Sequence, residues 1–192
     1  EETIGYPCFV KPANLGSSVG VSKAKDTSSL QQALQLAAEY DRKLLVEQAV
    51  LNAREIECSV LGNDDPITSV CGEIVPKREF YDYVAKYADE HTELVVPADI
   101  PSDKSVAIQD MARRAFLVAD CAGMARADFL ATRDLSAIYL NEINTIPGFT
   151  NVSMYARLFA ASGISYSELL DRLIALALER HGDKSRTKIT WM

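Results

Sequence analysis

The stretch Leu140-Asn141-Glu142-Ile143-Asn144-Thr145-Ile146-Pro147-Gly148-Phe149-Thr150-Asn151-Val152-Ser153 brings a carboxylate, an amide, a tight turn and a helix start together. Side chains on a strand alternate between faces, so Glu142 and Asn144, which alternate with apolar Ile143 and Ile146, should share one face. Upstream, Arg126-Ala127-Asp128-Phe129-Leu130 repeats the device, with Arg126 and Asp128 on one face and apolar residues on the other. Two such strands side by side would present three oxygen ligands and a guanidinium. Carboxylates plus an amide oxygen suit a hard cation such as Mg2+, which takes few protein ligands and completes its shell with water and substrate phosphates. Ordinary salt bridging at strand ends is the plainer alternative for either strand alone.

The rest of the composition narrows the class. A chain of 192 residues, 48% of them apolar, can bury a real core as one compact domain or two small lobes. Lys and Arg total 20 against 27 Asp and Glu, a formal charge of -7, and no long basic block stands out, so no nucleic-acid surface is expected. Any anion must be caught locally. No apolar run approaches the roughly 20 residues that cross a bilayer, and the opening Glu1-Glu2-Thr3-Ile4-Gly5-Tyr6 is not a signal peptide, so the expectation is a cytoplasmic chain without membrane association. Cys8, Cys58, Cys71 and Cys121 are scattered among apolar neighbours without a C-x-x-C pair, and read as reduced packing residues.

Strands and helices mix without strict alternation. Residues 6–12 and 19–22 read as a hairpin around a Gly/Ser loop. Asp26-Thr27-Ser28-Ser29 offers N-caps to a helix ending near Tyr40, with Leu30, Ala33, Leu34, Ala37 and Tyr40 on one stripe. Residues 43–47, 55–61 and 67–74 read as strands, the last two joined by the turn Gly62-Asn63-Asp64-Asp65-Pro66. Residues 75–98 resist assignment. A helix follows Pro101-Ser102-Asp103 and stops near Gly123, the two polar-faced strands come next, and helices over 153–162 and 165–180 close the pattern. Ser165-Tyr166-Ser167-Glu168 fits a capping box, and the tail after His181 reads as polar and loose. Such a chain belongs to the α+β class with a mostly antiparallel sheet.

Three further motifs carry polar chemistry. Phe9-Val10-Lys11-Pro12 places a cation at the end of an apolar strand, and Asn14-Leu15-Gly16-Ser17-Ser18-Val19-Gly20 follows as a loop whose backbone N–H groups and hydroxyls could wrap phosphate. A hairpin turn beside a surface lysine is the simpler reading of that motif alone. Leu45-Val46-Glu47-Gln48-Ala49-Val50 ends a strand in a connector that could offer backbone groups to a flat heterocycle, or could be a surface acidic turn. Phe80-Tyr81-Asp82-Tyr83-Val84-Ala85-Lys86-Tyr87 sits in the unassigned region, where a long irregular segment can serve as a lid that brings Lys86 onto phosphate, or as a surface excursion.

The order of these motifs, with Arg54-Glu55-Ile56 between them, resembles the D-alanine-D-alanine ligases of the ATP-grasp superfamily over nearly the whole chain. The most specific parts are Phe80 to Tyr87 and Asn141 to Thr150. The resemblance implies an ATP-grasp fold, with residues 1–47 as the remainder of the central ATP-binding lobe and residues 48–192 as the C-terminal lobe. It implies ATP-dependent joining of two D-alanines through a D-alanyl phosphate for cell-wall precursors, with two Mg2+ or Mn2+ ions and a homodimeric full-length enzyme.

By the same resemblance, Lys11 and Lys86 hold ATP phosphates under the loop carrying Gly16 and Ser18, Glu55 accepts from the ribose hydroxyls, and Gln48 and Val50 offer backbone groups to adenine near Glu47. Asp128, Glu142 and Asn144 match the metal ligands. Arg126 and the N–H of Gly148 match the groups that hold the oxyanion of the tetrahedral intermediate. Ser153, at a helix start, matches the grip on the second D-alanine's carboxylate, and Ser17 with Tyr87 matches a hydrogen-bonded pair that places it. The family's N-terminal lobe and the opening of its central lobe have no counterpart here. The expectation is therefore a fragment of a longer enzyme, inactive alone and able at most to bind nucleotide weakly, with residues 75–98 disordered without nucleotide. A D-alanine-D-lactate ligase and a non-catalytic ATP-binding module are the alternatives.

Overall fold

The computed structural model describes residues 4–75, 93–150 and 153–187, which fall into two compact units. In the first unit, β1 (Cys8–Pro12) lies between β2 (Ser22–Ala24) and β3 (Leu44–Gln48), antiparallel to both. The hairpin forms as expected, but its second strand starts at Ser22, because the intervening loop holds Ser17, Ser18 and Gly20 in left-handed conformations that cannot extend a ladder. Helix α1 (Thr27–Ala38) begins at Asp26, whose carboxylate accepts from Ser29 N at 2.7 Å while the Ser29 hydroxyl accepts from Asp26 N at 3.0 Å. This reciprocal cap satisfies donors that the first turn leaves open. Val10 of β1 packs on Ala33 and Ala37 of α1, leaving Phe9, Lys11 and Glu47 on the opposite face of the small sheet.

The second unit is built on a five-stranded antiparallel sheet in the order β6-β5-β4-β7-β8, from β4 (Arg54–Gly62), β5 (Ile67–Val75), β6 (Glu93–Val95), β7 (Gly123–Ala131) and β8 (Ile138–Asn144). Strand β6 lies in the stretch that resists assignment from sequence, and pairs with β5. Gly62 makes the β4–β5 turn possible: at φ +146°, a Cβ there would sit 2.6 Å from Pro66 Cα. Only a residue without a side chain fits.

Helix α2 (Ser102–Val118) covers one face of this sheet. Ile108, Ala112 and Phe116 recur every four residues and meet Ile56, Cys58, Val60, Ala125, Ala127 and Phe129 in one core. Fully burying a side chain such as Phe116 contributes about 2 kcal/mol. The helix ends at Val118, short of the expected Gly123, because Asp120 turns left-handed at φ +50° and the chain reverses into β7. On the other face, α3 (Met154–Ala161) and α4 (Tyr166–Ser185) gather Leu61, Tyr155, Phe159 and Leu169 into a second core. The buried Tyr155 hydroxyl donates to Val60 O at 3.1 Å. Ser165 accepts from Glu168 N as expected, whereas the Glu168 carboxylate pairs with Arg172 at 2.6 Å. Helix α4 runs to Ser185, past the expected end at Arg180 and into the stretch expected to be loose. Among the described residues, no helix is long and apolar enough to cross a membrane.

Candidate functional site

In the β7–β8 pair, Arg126 lies opposite Asn144, Ala127 opposite Ile143 and Asp128 opposite Glu142. Opposed residues share a face, and Ala127 is buried under α2, so Arg126, Asp128, Glu142 and Asn144 all project from the other side. Strand β4 extends the same face, with Glu57 opposite Asp128 and Glu55 opposite Leu130. Three neighbouring strands thus bring four carboxylates, one amide and one guanidinium onto a single surface.

The side chains are joined there. Arg126 donates through Nε and a terminal nitrogen to both oxygens of Asp128, each at 2.7 Å, in a planar fork that only arginine can make. Its Nε also lies 3.1 Å from Oε2 of Glu57, an ion pair without hydrogen-bond alignment. The Asn144 amide donates to Asp128 at 2.9 Å and to Glu142 at 3.3 Å. Arg126 is held charged above its ordinary range: burial works against the charge, but hydrogen bonding to Asp128 and the charges of Asp128, Glu57 and Glu142 outweigh it.

A β-bulge places these groups. The register shifts between Asp128 and Phe129, which pair with Glu142 and Leu140, leaving Asn141 as the extra residue. Ile138 and Ile143 both pack against the α2 core although they are five positions apart in sequence, a spacing that plain alternation forbids. The bulge absorbs the odd residue and lets Ile138 face the core while Glu142 and Asn144 face away.

The donor set fits a hard divalent cation. Glu57, Asp128 and Glu142 carry three negative charges against one positive charge on Arg126, leaving two that a single divalent ion would balance. Asn144 would turn its amide so that the oxygen, rather than the nitrogen, joins the carboxylates. Among the described residues, no group of three or more His, Cys, Asp or Glu is arranged to hold a metal ion.

The loop after β8 brings two more expected residues together. A Cβ built on Gly148 would meet Ser153 Oγ at 3.3 Å, so the bare backbone approaches this hydroxyl closely. Ser153 is the N-cap of α3, but its hydroxyl turns back to accept from Thr150 N at 3.0 Å instead of capping the first helical turn. In the first unit, Lys11 Nζ lies 2.8 Å from Oε2 of Glu47. Gly16, Ser17 and Ser18 form the following turn, where Gly16 O accepts from Val19 N at 3.2 Å. Two successive left-handed serines are costly, about 1 kcal/mol or more each. Gln48 closes β3, and Val50 lies in the connector beyond it. Lys86 and Tyr87, with the lid and the disorder expected over 76–92, lie outside the described residues, whereas Glu93–Val95, expected to be disordered, is a strand paired with β5.

Glu57 is the residue that reading the sequence missed. Its signal was present, since Glu55-Ile56-Glu57 alternates around a buried isoleucine and so places Glu57 on the same face as Glu55.

The chain matches the family model described as D-ala D-ala ligase C-terminus over residues 1–175. It is 56% identical over 186 residues to a D-alanine-D-alanine ligase of Thermoanaerobacter sp. strain X514, covering 96% of this chain and 52% of that one. Among solved structures, the D-alanine-D-alanine ligase of Coxiella burnetii superposes with a TM-score of 0.82 at 39% identity, over 94% of this chain and 47% of the other. The VanG D-Ala:D-Ser ligase of Enterococcus faecalis superposes with a TM-score of 0.81 at 36% identity, over 91% and 50%. The chain therefore spans about half the length of the relatives it matches.

Proposed function

Because this chain belongs to the D-alanine-D-alanine ligase C-terminal family and carries its α+β ATP-grasp portion, we propose that it supplies the nucleotide and metal chemistry of an ATP-dependent ligase joining two D-alanines. One observation carries the reading: Asp128, Glu142 and Asn144 converge with Arg126 on one sheet face. A pure structural ion-pair network has no need of an amide bridging two carboxylates beside a buried arginine.

In this reading Asp128, Glu142 and Asn144 would hold Mg2+ or Mn2+, two ions in the complete site. The bound metal would neutralise phosphate charge as the γ-phosphoryl group moves to a D-alanine carboxylate. Arg126 supplies a fixed positive charge for the oxyanion that forms when the second amine attacks, and the Gly148 N–H donates to the same oxygen. Ser153, beside Gly148, holds the second D-alanine's carboxylate, and Ser17 with Tyr87 orients it. In the first unit Lys11 binds phosphate after leaving Glu47, the loop of Gly16 and Ser18 covers it, and Gln48 and Val50 present backbone groups to adenine near Glu47. Lys86 is a second phosphate contact, and Glu55 accepts from ribose. Residues 1–47 would be the remainder of a central ATP-binding lobe and 48–192 the C-terminal lobe of a longer cytoplasmic homodimer. Ligation requires both amino acids held in line, and positioning of that kind supplies several kcal/mol of the barrier reduction, so the 192-residue chain alone should bind nucleotide weakly without joining D-alanines.

The test is a chimera in which the first half of the Thermoanaerobacter ligase precedes this chain. D-Alanyl-D-alanine formation by the chimera, lost on Arg126→Ala, supports the reading. An inactive but folded chimera, or an Arg126→Ala form of full rate, contradicts it.

A further inference from the structure

We propose that Glu57 is a positioning residue that seats the Arg126 guanidinium, keeping it on this face when Asp128 turns to a divalent cation. The inference rests on the reading of Asp128, Glu142 and Asn144 as cation ligands. Asp128 currently gives both carboxylate oxygens to Arg126, at 2.7 Å each, so a cation that draws on Asp128 competes with that fork. The displaced guanidinium is only 19% exposed and would be stranded in a poorly solvated position. Glu57 provides the second seat: its carboxylate is 3.1 Å from Arg126 Nε, its side chain is 6% exposed, and its strand is the middle one of the sheet. The present pair lacks hydrogen-bond alignment because Asp128 sets the guanidinium plane. Rotation of Arg126 toward Glu57 would align Nε there and leave its terminal N–H groups directed at a substrate oxyanion. Register fixes the relay, since Glu57 stands directly opposite Asp128 and Ser59 directly opposite Arg126. Arginine therefore exchanges one carboxylate for another without its charge leaving the site.

The experiment is a double-mutant cycle read by Mn2+ binding to the whole chain, using water-proton relaxation, in wild type, Glu57→Gln, Arg126→Met and the double variant. Glu57→Gln should weaken Mn2+ about fivefold, because Arg126 then clings to Asp128, and by less than about twofold once Arg126 is gone. An equal loss in both backgrounds would make Glu57 a direct cation partner, and no loss in either would reduce it to packing; each result overturns the proposal. Glu142→Gln serves as the reference, and its failure to weaken Mn2+ would sink the cation reading itself, a different outcome from an unexpected cycle. Should Arg126→Met not fold, the Arg126 Nε–H resonance decides. On adding Mg2+ it should shift and stay protected in wild type but exchange-broaden in Glu57→Gln, and identical behaviour in the two would overturn the proposal.

Discussion

Asp128 and Glu142 stand directly across the β7–β8 ladder from each other, two carboxylates at one paired position, bridged by the Asn144 amide. Like charges opposed on a sheet are destabilising. The second carboxylate accepts a 3.3 Å bond from Asn144 and adds its charge to those facing Arg126, whose planar fork is already given to Asp128. The arrangement fits the proposed cation site.

Glu142→Gln should therefore stabilise the metal-free chain while damaging its ligand chemistry. Removing the opposed charge is expected to add about 0.5 kcal/mol in urea unfolding without metal. A lower stability for this variant would mean that Glu142 has a structural role instead.

Arg126→Met should act in the opposite direction. It leaves Asp128 and the buried Glu57 without their shared cation, which should cost roughly 3 kcal/mol of unfolding free energy. Loss of under about 1 kcal/mol would show that the carboxylates are better solvated than their burial indicates.

Deleting Asn141 removes the extra residue of the bulge and restores strict alternation from Ile138 to Asn144. The chain should fold with stability changed by only about 1 kcal/mol, since Ile138 and Ile143 keep the core side. Its Mn2+ binding should fall, because the bulge aims Glu142. Undiminished binding by a folded deletion variant would contradict this role for the bulge.

The β7–β8 turn carries a pH signature. Asp134 is held down at about 2 by hydrogen bonds from the Thr132 hydroxyl first, then from the Ser136 backbone and hydroxyl. A lowered folded-state value means that its contribution is fully present above the ordinary carboxylate value of 3.8 and is lost as the pH falls through about 2. A carboxyl-carbon NMR titration should place its midpoint near the lower value, and a midpoint at the ordinary one would show that the turn is not formed in solution.

Much of this site was legible because a period of two is a hard constraint. Arg126 and Asp128 on one strand, and Glu142 and Asn144 on the other, had to share faces whichever strands they joined. Which strands pair is a long-range matter that local pattern does not encode, and so the contribution of β4 through Glu57 went unread. The bulge at Asn141 was hidden for a related reason: its only trace is the five-residue spacing of Ile138 and Ile143, meaningful once both are known to face one core. Helix ends were misplaced where a single backbone angle decides them. Asp120 breaks α2 without a glycine or proline to announce it, and α4 continues to Ser185 through residues whose polarity suggested a loose tail.

Calorimetry of Mg-ADP binding to the wild-type chain and to Glu142→Gln tests the central claim most directly. If Asp128, Glu142 and Asn144 hold the metal of a metal-nucleotide, the wild type binds and the variant binds at least about tenfold more weakly, a difference of roughly 1.4 kcal/mol. Equal affinities in the two proteins would contradict it.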